Sequence, residues 1–150
     1  MTTQATTLAD EISKSIATAP DRTAAMARAV EALKARLSHY TWVGIYVLEG
    51  DELVLGPYIG KPSPHTRIPL NRGICGAAAS QKQTIIVDDV NSDPRYLACS
   101  LETKSEIVVP ILRGETVLGE IDIDSDTHAA FGDTDRRLLE TIAAALAPKL

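Results

Sequence analysis

The sequence predicts an α+β fold. One largely antiparallel sheet carries helices from both ends of the chain on one face, and irregular stretches roof a pocket on the other. Three observations lead there. Apolar residues recur at helical spacing near both ends, as Leu8, Ile12 and Ile16 and again as Leu138, Leu139, Ile142, Ala143 and Leu146. Between them run β-branched and aromatic segments joined by tight turns, which favour antiparallel neighbours. Two stretches, 59–83 and 89–104, interrupt that alternation, and a ligand pocket is expected beneath them.

A chain of 150 residues suits a single core, so 1–150 is read as one domain. Residues 1–7 are expected to be disordered, 8–39 to hold the N-terminal helices, and 41–147 to hold the sheet core and the last helix. The net charge of −5 and the absence of a basic run exclude a general nucleic-acid binder, because phosphate contacts need clustered Lys and Arg. No apolar run approaches the ~18 residues of a membrane span. No apolar signal core opens the chain either. No nucleic acid and no membrane are therefore expected as partners. A reducing cytoplasm is the expected setting for the two cysteines.

Pro20-Asp21 separates the first helical stripe from a second, and Asp21 is a natural N-cap. Met26, Val30, Leu33 and Leu37 continue at helical spacing, with Arg22, Arg28, Lys34 and Arg36 off that stripe. These two helices offer a surface for packing as a pair, for covering a sheet or for a homodimer. From Thr41 the period changes to two. Trp42, Gly44, Tyr46 and Leu48 share one face of a strand, and Val43, Ile45 and Val47 share the other. The turn at 49–52 leads into a second strand ending near Tyr58.

Residues 60–72 hold three prolines, so no regular structure is expected there. Gly73-Ile74-Cys75-Gly76 leads into a short Ala-rich helix. Thr84 to Val87 reads as a strand ended by Asp88-Asp89. The segment Glu106 to Pro110 and the segment Thr116 to Asp124 read as a strand pair across an Arg113-Gly114-Glu115 turn. Gly132-Asp133 then opens the final helix.

Several groups could carry chemistry. Cys75 precedes the Ala-rich helix, where backbone N–H groups and the helix dipole favour a thiolate. Cys99 lies between Arg95 and Lys104. Either cysteine reads equally well as a small buried hydrophobe. Asp122 and Asp124 share one face of the last strand, and Glu106 begins the strand that pairs with it. Three acids at one end of a sheet face would bind an ammonium group, or one of them would hold a proton at neutral pH through burial and mutual repulsion. The alternative is a solvated face. His39, His65 and His128, together with the cysteines, show no zinc spacing, so no metal site is expected. Residues 71–76 lack the phosphate-binding lysine of a P-loop and the spacing of a dinucleotide motif. Ser105 and Ser125 lack a positioned histidine for hydrolysis. Neither cysteine is followed by the histidine expected of a bilin site. No cofactor is expected.

Trp42-Val43-Gly44-Ile45-Tyr46, Gly60-Lys61-Pro62, Thr66-Arg67-Ile68-Pro69, Arg72-Gly73-Ile74-Cys75-Gly76, Ala98-Cys99, Ser105-Glu106-Ile107-Val108-Val109-Pro110 and Asp122-Ile123-Asp124-Ser125 follow one another in order. From about Thr41 to Leu146 this series resembles the free methionine-(R)-sulfoxide reductases, small proteins built as a single GAF domain. The resemblance implies a six-stranded antiparallel sheet with a ligand pocket opposite its helices. It implies that Cys99 matches the catalytic cysteine, and that Trp42, Tyr46, Glu106, Asp122 and Asp124 match residues lining the methionine sulfoxide pocket. Asp89 is counted with this substrate-binding set. Cys75 matches a second family cysteine that helps the redox cycle.

The chemistry implied is attack of the Cys99 thiolate on the sulfoxide sulfur, leaving methionine and a sulfenic acid. A neutral carboxyl would protonate the oxygen. A second thiol would close a disulfide for a thioredoxin-type reductant to open. The family's further cysteine, in the loop between Gly60-Lys61-Pro62 and Thr66-Arg67, is missing here. That loop is one residue longer, and His65 stands nearest the place. Either Cys75 or an external thiol then resolves Cys99, or the protein keeps its pocket as a non-catalytic GAF sensor, or Cys75 and Cys99 act as a redox switch.

Overall fold

The computed structural model describes residues 3–97 and 102–150. Its elements in order are α1 (Thr3–Ala17), α2 (Arg22–Arg36), β1 (Trp42–Glu49), β2 (Glu52–Ile59), β3 (Arg67–Pro69), α3 (Gly73–Gln81), β4 (Ile85–Val87), β5 (Ser105–Arg113), β6 (Thr116–Ser125) and α4 (Asp133–Leu146). Short 3₁₀ turns occupy Val90–Ser92 and Ala147–Lys149. The strands form one sheet in the order β3-β2-β1-β6-β5-β4, with every neighbouring pair antiparallel.

The period-two pattern of each central strand divides the molecule into two layers. Val43 and Ile45 of β1, Ile107, Val109 and Ile111 of β5, and Ile121 and Ile123 of β6 face the helices α1, α2 and α4. Each is 1% exposed or less, and burying such a side chain stabilises by roughly 1.5–3 kcal/mol. The stripes foreseen on α1 and α4 are the buried ones: Leu8, Ile12 and Ile16, and Leu138, Leu139, Ile142, Ala143 and Leu146. Asp21 caps α2 as expected, its carboxylate accepting the Ala24 N–H at 2.8 Å. The other sheet face packs Trp42, Tyr46, Leu53 and Val108 against Ile74, Cys75, Ala78 and Ala79 of α3.

Three expectations are corrected. Disorder over 1–7 does not hold for 3–7, because α1 already starts at Thr3. Its Ala- and Gln-bearing first turn extends a helix anchored downstream by Leu8, Ile12 and Ile16. The Pro-rich stretch 60–72 contains the short strand β3, whose Ile68 pairs with Leu53 of β2. Pro69 is tolerated there because β3 is an edge strand. Helix α3 starts at Gly73, so Cys75 lies inside its first turn rather than ahead of it.

Candidate active site

Strand register builds the site. Across β1 and β6, Trp42 pairs with Asp124, Gly44 with Asp122 and Tyr46 with Glu120. Across β5 and β6, Glu106 pairs with Asp124, Val108 with Asp122 and Pro110 with Glu120. Because side chains alternate, Trp42, Tyr46, Glu106, Glu120, Asp122 and Asp124 all point to the α3 side. All four acids are buried, Glu106 at 6% exposure and Glu120 at 0%. The alternative of a solvated acidic face does not hold.

The two aromatic residues use their polar tips on the roof. Trp42 Nε1 donates to the Lys61 carbonyl at 2.9 Å, and the Tyr46 hydroxyl donates to the His65 carbonyl at 2.8 Å. An exposed Lys61–Glu102 ion pair joins this loop to the segment that enters β5. The Trp42 ring stacks on Tyr58 with centroids 5.6 Å apart. Gly44 makes room for that ring, since a Cβ there would overlap it.

Cys75 projects from α3 onto the acids. Its Sγ donates to Asp122 Oδ2 at 3.4 Å, a weak bond by sulfur standards. Cys75 Sγ and carboxylate oxygens of Glu106 and Asp122 lie within 4.8 Å of one another. Burial pushes the Cys75 thiol well up, and Asp122, Glu120 and Glu106 push it further. The expected thiolate at Cys75 is thus corrected: the helix N-terminus is outweighed by desolvation and by three neighbouring carboxyls. Burial likewise raises Glu120, Asp122 and Asp124, and Asp122 adds to the rise of the other two. Hydrogen bonds from Glu106 temper the rise at Asp122 and Asp124. The nearby Cys75 thiol tempers that of Glu120, yet neither Glu120 oxygen has a well-formed hydrogen bond. Asp122 Oδ1 and Asp124 Oδ1 also lack partners.

Two small cavities flank this row. One of about 20 Å³ is lined by Tyr46, His65, Ile68, Cys75, Leu97, Glu106 and Asp122, among others. The other, of about 60 Å³, lies between Trp42, Lys61, Glu102, Thr103 and Asp124. A roomier groove of about 540 Å³ runs between α4 and the edge beyond β4. It holds no thiol, and its one acid, Glu140, is already bonded to Thr84 at 2.6 Å. The convergent polar groups therefore mark the smaller cavities as the site.

Most residues picked from the sequence come together here: Trp42, Tyr46, Cys75, Glu106, Asp122 and Asp124. Asp89 does not. Its carboxylate caps the turn at Val90–Ser92, accepting from Asn91 N and Ser92 Oγ, and lies 3.7 Å from His128 Nε2. Asp-then-turn chemistry explains that placement. Cys99, the nucleophile expected from the resemblance, lies outside the described residues. Glu120 was missed by sequence reading. Its signal was available: two residues before Asp122, it shares the same face.

The six-stranded antiparallel sheet carries α1, α2 and α4 on one face and the acid row beneath α3 on the other, and residues 21–150 match the model of the GAF domain. The chain belongs to the GAF domain family, and within it to the free methionine-R-sulfoxide reductases. It is 38% identical to free methionine-R-sulfoxide reductase of Escherichia coli, over 82% of this chain and 74% of that protein. The free methionine-R-sulfoxide reductase of Neisseria meningitidis, solved with its substrate, superposes with a TM-score of 0.91 at 34% identity, covering 99% of this chain and 91% of that one. The reduced form of fRMsr from Staphylococcus aureus gives 0.90 at 35% identity, covering 100% and 99%. Among the described residues, no helix is long and apolar enough to cross a membrane.

Proposed function

We propose that this chain reduces free L-methionine-(R)-sulfoxide to methionine, with Cys99 as the nucleophile. The observation that carries the reading is the buried acid row Glu106, Asp122 and Asp124 set beside Trp42 on the roofed face. Such a row suits a small molecule that brings its own ammonium group, and the indole suits its methyl group. A methionine inside a peptide chain offers no ammonium, so the same acids would favour the free amino acid over it.

In the proposed cycle the Cys99 sulfur attacks the sulfoxide sulfur. A protonated carboxyl of Asp122 or Asp124 supplies the proton for the oxygen, and burial keeps that proton available near neutral pH. Methionine leaves reduced by two electrons, and Cys99 is left oxidised by two as a sulfenic acid. A thiol then attacks the sulfenic sulfur, expelling water and forming a disulfide. An external dithiol of the thioredoxin type reduces that disulfide. Cys75 is poorly suited to attack first from its closed, protonated state, so an external thiol is the favoured resolving group.

The test is methionine formation from each sulfoxide epimer with a thioredoxin-type reductant. The R epimer should be turned over, and Cys99→Ser should lose that turnover. Equal rates for Cys99→Ser and wild type would sink the mechanism. A second reading, a ligand-binding GAF module without catalysis, is favoured by the missing cysteine in the 60–67 loop. It predicts a melting shift with methionine sulfoxide and no product.

A further inference from the structure

We infer that Cys75 Sγ and the Glu106 and Asp122 carboxylates form a site for a thiophilic divalent cation of the zinc class. The three groups come from three different elements, α3, β5 and β6, each held by a buried core, so their arrangement is built in advance. Their ligand atoms lie within 4.8 Å of one another. With zinc–sulfur bonds of about 2.3 Å and zinc–oxygen bonds of about 2.1 Å, a tetrahedral ion sets its sulfur and oxygen ligands roughly 3.6 Å apart. Cys75 Sγ and Asp122 Oδ2 are already 3.4 Å apart.

A second observation points to a ligand independently. Asp122 is 3% exposed, lines the cavity, and its Oδ1 has no hydrogen-bond partner. A buried orphan carboxylate oxygen carries a cost that a cation removes. The described residues around the cavity include no Lys or Arg to fill that role. The cavity holds about 20 Å³, enough for an ion or a water and too little for an amino acid. Such a water would supply the fourth ligand. The thiol sets the metal class: sulfur selects zinc-like ions over magnesium or calcium, which take oxygen cages. The sequence could not disclose this set, because its members are 31 and 16 residues apart by their numbers and sit in no spaced motif.

Binding takes the proton from Cys75, so affinity falls as pH falls. On the proposed reading of the site, the same acids hold the substrate ammonium. Metal and methionine sulfoxide then exclude each other, and the ion acts as a reversible inhibitor that shields Cys75 from oxidation.

The experiment titrates the reduced full chain with Co²⁺ and follows the thiolate-to-cobalt band in the near ultraviolet. One equivalent should bind, and Zn²⁺ but not Mg²⁺ should displace it. The band should vanish in Cys75→Ser, persist in Cys99→Ser, and weaken at least tenfold in affinity in Glu106→Gln and Asp122→Asn, with circular dichroism confirming the fold. Absence of the band in wild type overturns the inference. So does its survival in Cys75→Ser, its loss in Cys99→Ser, or unchanged affinity in both acid variants. If Cys75→Ser does not fold, the wild-type and acid-variant titrations decide. A metal that methionine sulfoxide cannot displace leaves the ion site standing and counts against the substrate reading. Sulfoxide turnover without cobalt binding does the reverse.

Discussion

Replacing Glu120 by Gln tests whether the innermost acid of the buried row is protonated. Glu120 is fully buried, between Tyr46 and Pro110 on the neighbouring strands, and both its oxygens lack well-formed hydrogen bonds. Burial, with Asp122 adding to it, raises its pKa in the folded protein. In the unfolded chain it titrates near the ordinary value of about 4.3. Above that value the folded state keeps a proton that the unfolded state has released. The stability from that proton is therefore present at low pH and declines as pH rises toward the folded pKa. While the folded carboxyl stays protonated, the decline is about 1.4 kcal/mol per pH unit.

Gln cannot titrate, so the variant lacks this slope. Between pH 5 and 7 the stability of Glu120→Gln should gain on that of wild type by up to about 2.7 kcal/mol. Urea unfolding of both proteins at pH 5, 6 and 7, in buffer with a chelator, measures it. The Gln amide has its own burial cost, which offsets the curves but leaves their difference in slope intact. Asp122 and Asp124 keep some pH dependence in the variant. Parallel profiles for the two proteins would refute a protonated Glu120.

Three further outcomes are expected. Gly44→Ala should destabilise by about 1–3 kcal/mol, because its Cβ would overlap the Trp42 ring; a shift in Trp42 fluorescence should accompany the loss. In a Cys99→Ser background, Cys75 should react with a thiol reagent at pH 7.5 at least roughly tenfold more slowly when folded than in denaturant, since burial and three acids hold its thiol protonated. Asp21→Ala should cost ~1 kcal/mol in thermal or urea unfolding, the value of the lost cap on Ala24 N–H.

Sequence periodicity reached the layers of this fold because burial on each strand alternates cleanly. Val43 and Ile45 went to one core and Trp42 and Tyr46 to the other, as their spacing requires. Strand β3 stayed hidden because its identity comes from pairing with β2, while its own composition, flanked by prolines, reads as loop. The acids were legible as a set on paired strands, but their burial was not. Only the packing of α3 over β5 and β6 distinguishes a pocket from a solvated face. Cys75 shows the limit most sharply. Its position in a helix first turn argued for a thiolate, and its tertiary surroundings, invisible to local spacing, argue the opposite and win.

The closed pocket also says how a substrate must enter. Trp42 and Tyr46 each spend a donor on the 61–65 loop, and one exposed ion pair, Lys61 to Glu102, ties that loop to the approach of β5. Net hydrogen bonds of this kind are worth about 0.5–1.5 kcal/mol each. An exposed pair adds about 1 kcal/mol at most. Opening the roof at these contacts therefore costs a few kcal/mol, within reach of thermal fluctuation and small beside a buried ammonium–carboxylate interaction. On the proposed reading, a small molecule bearing an ammonium group enters there, and the same protein–protein bonds re-form on closing. Shutting the roof then excludes water and, on that reading, strengthens the attraction between the acid row and a substrate ammonium. The burial that comes with a closed roof is also what raises Asp122 and Asp124, and on the proposed reading a substrate ammonium is the partner that such buried acids suit.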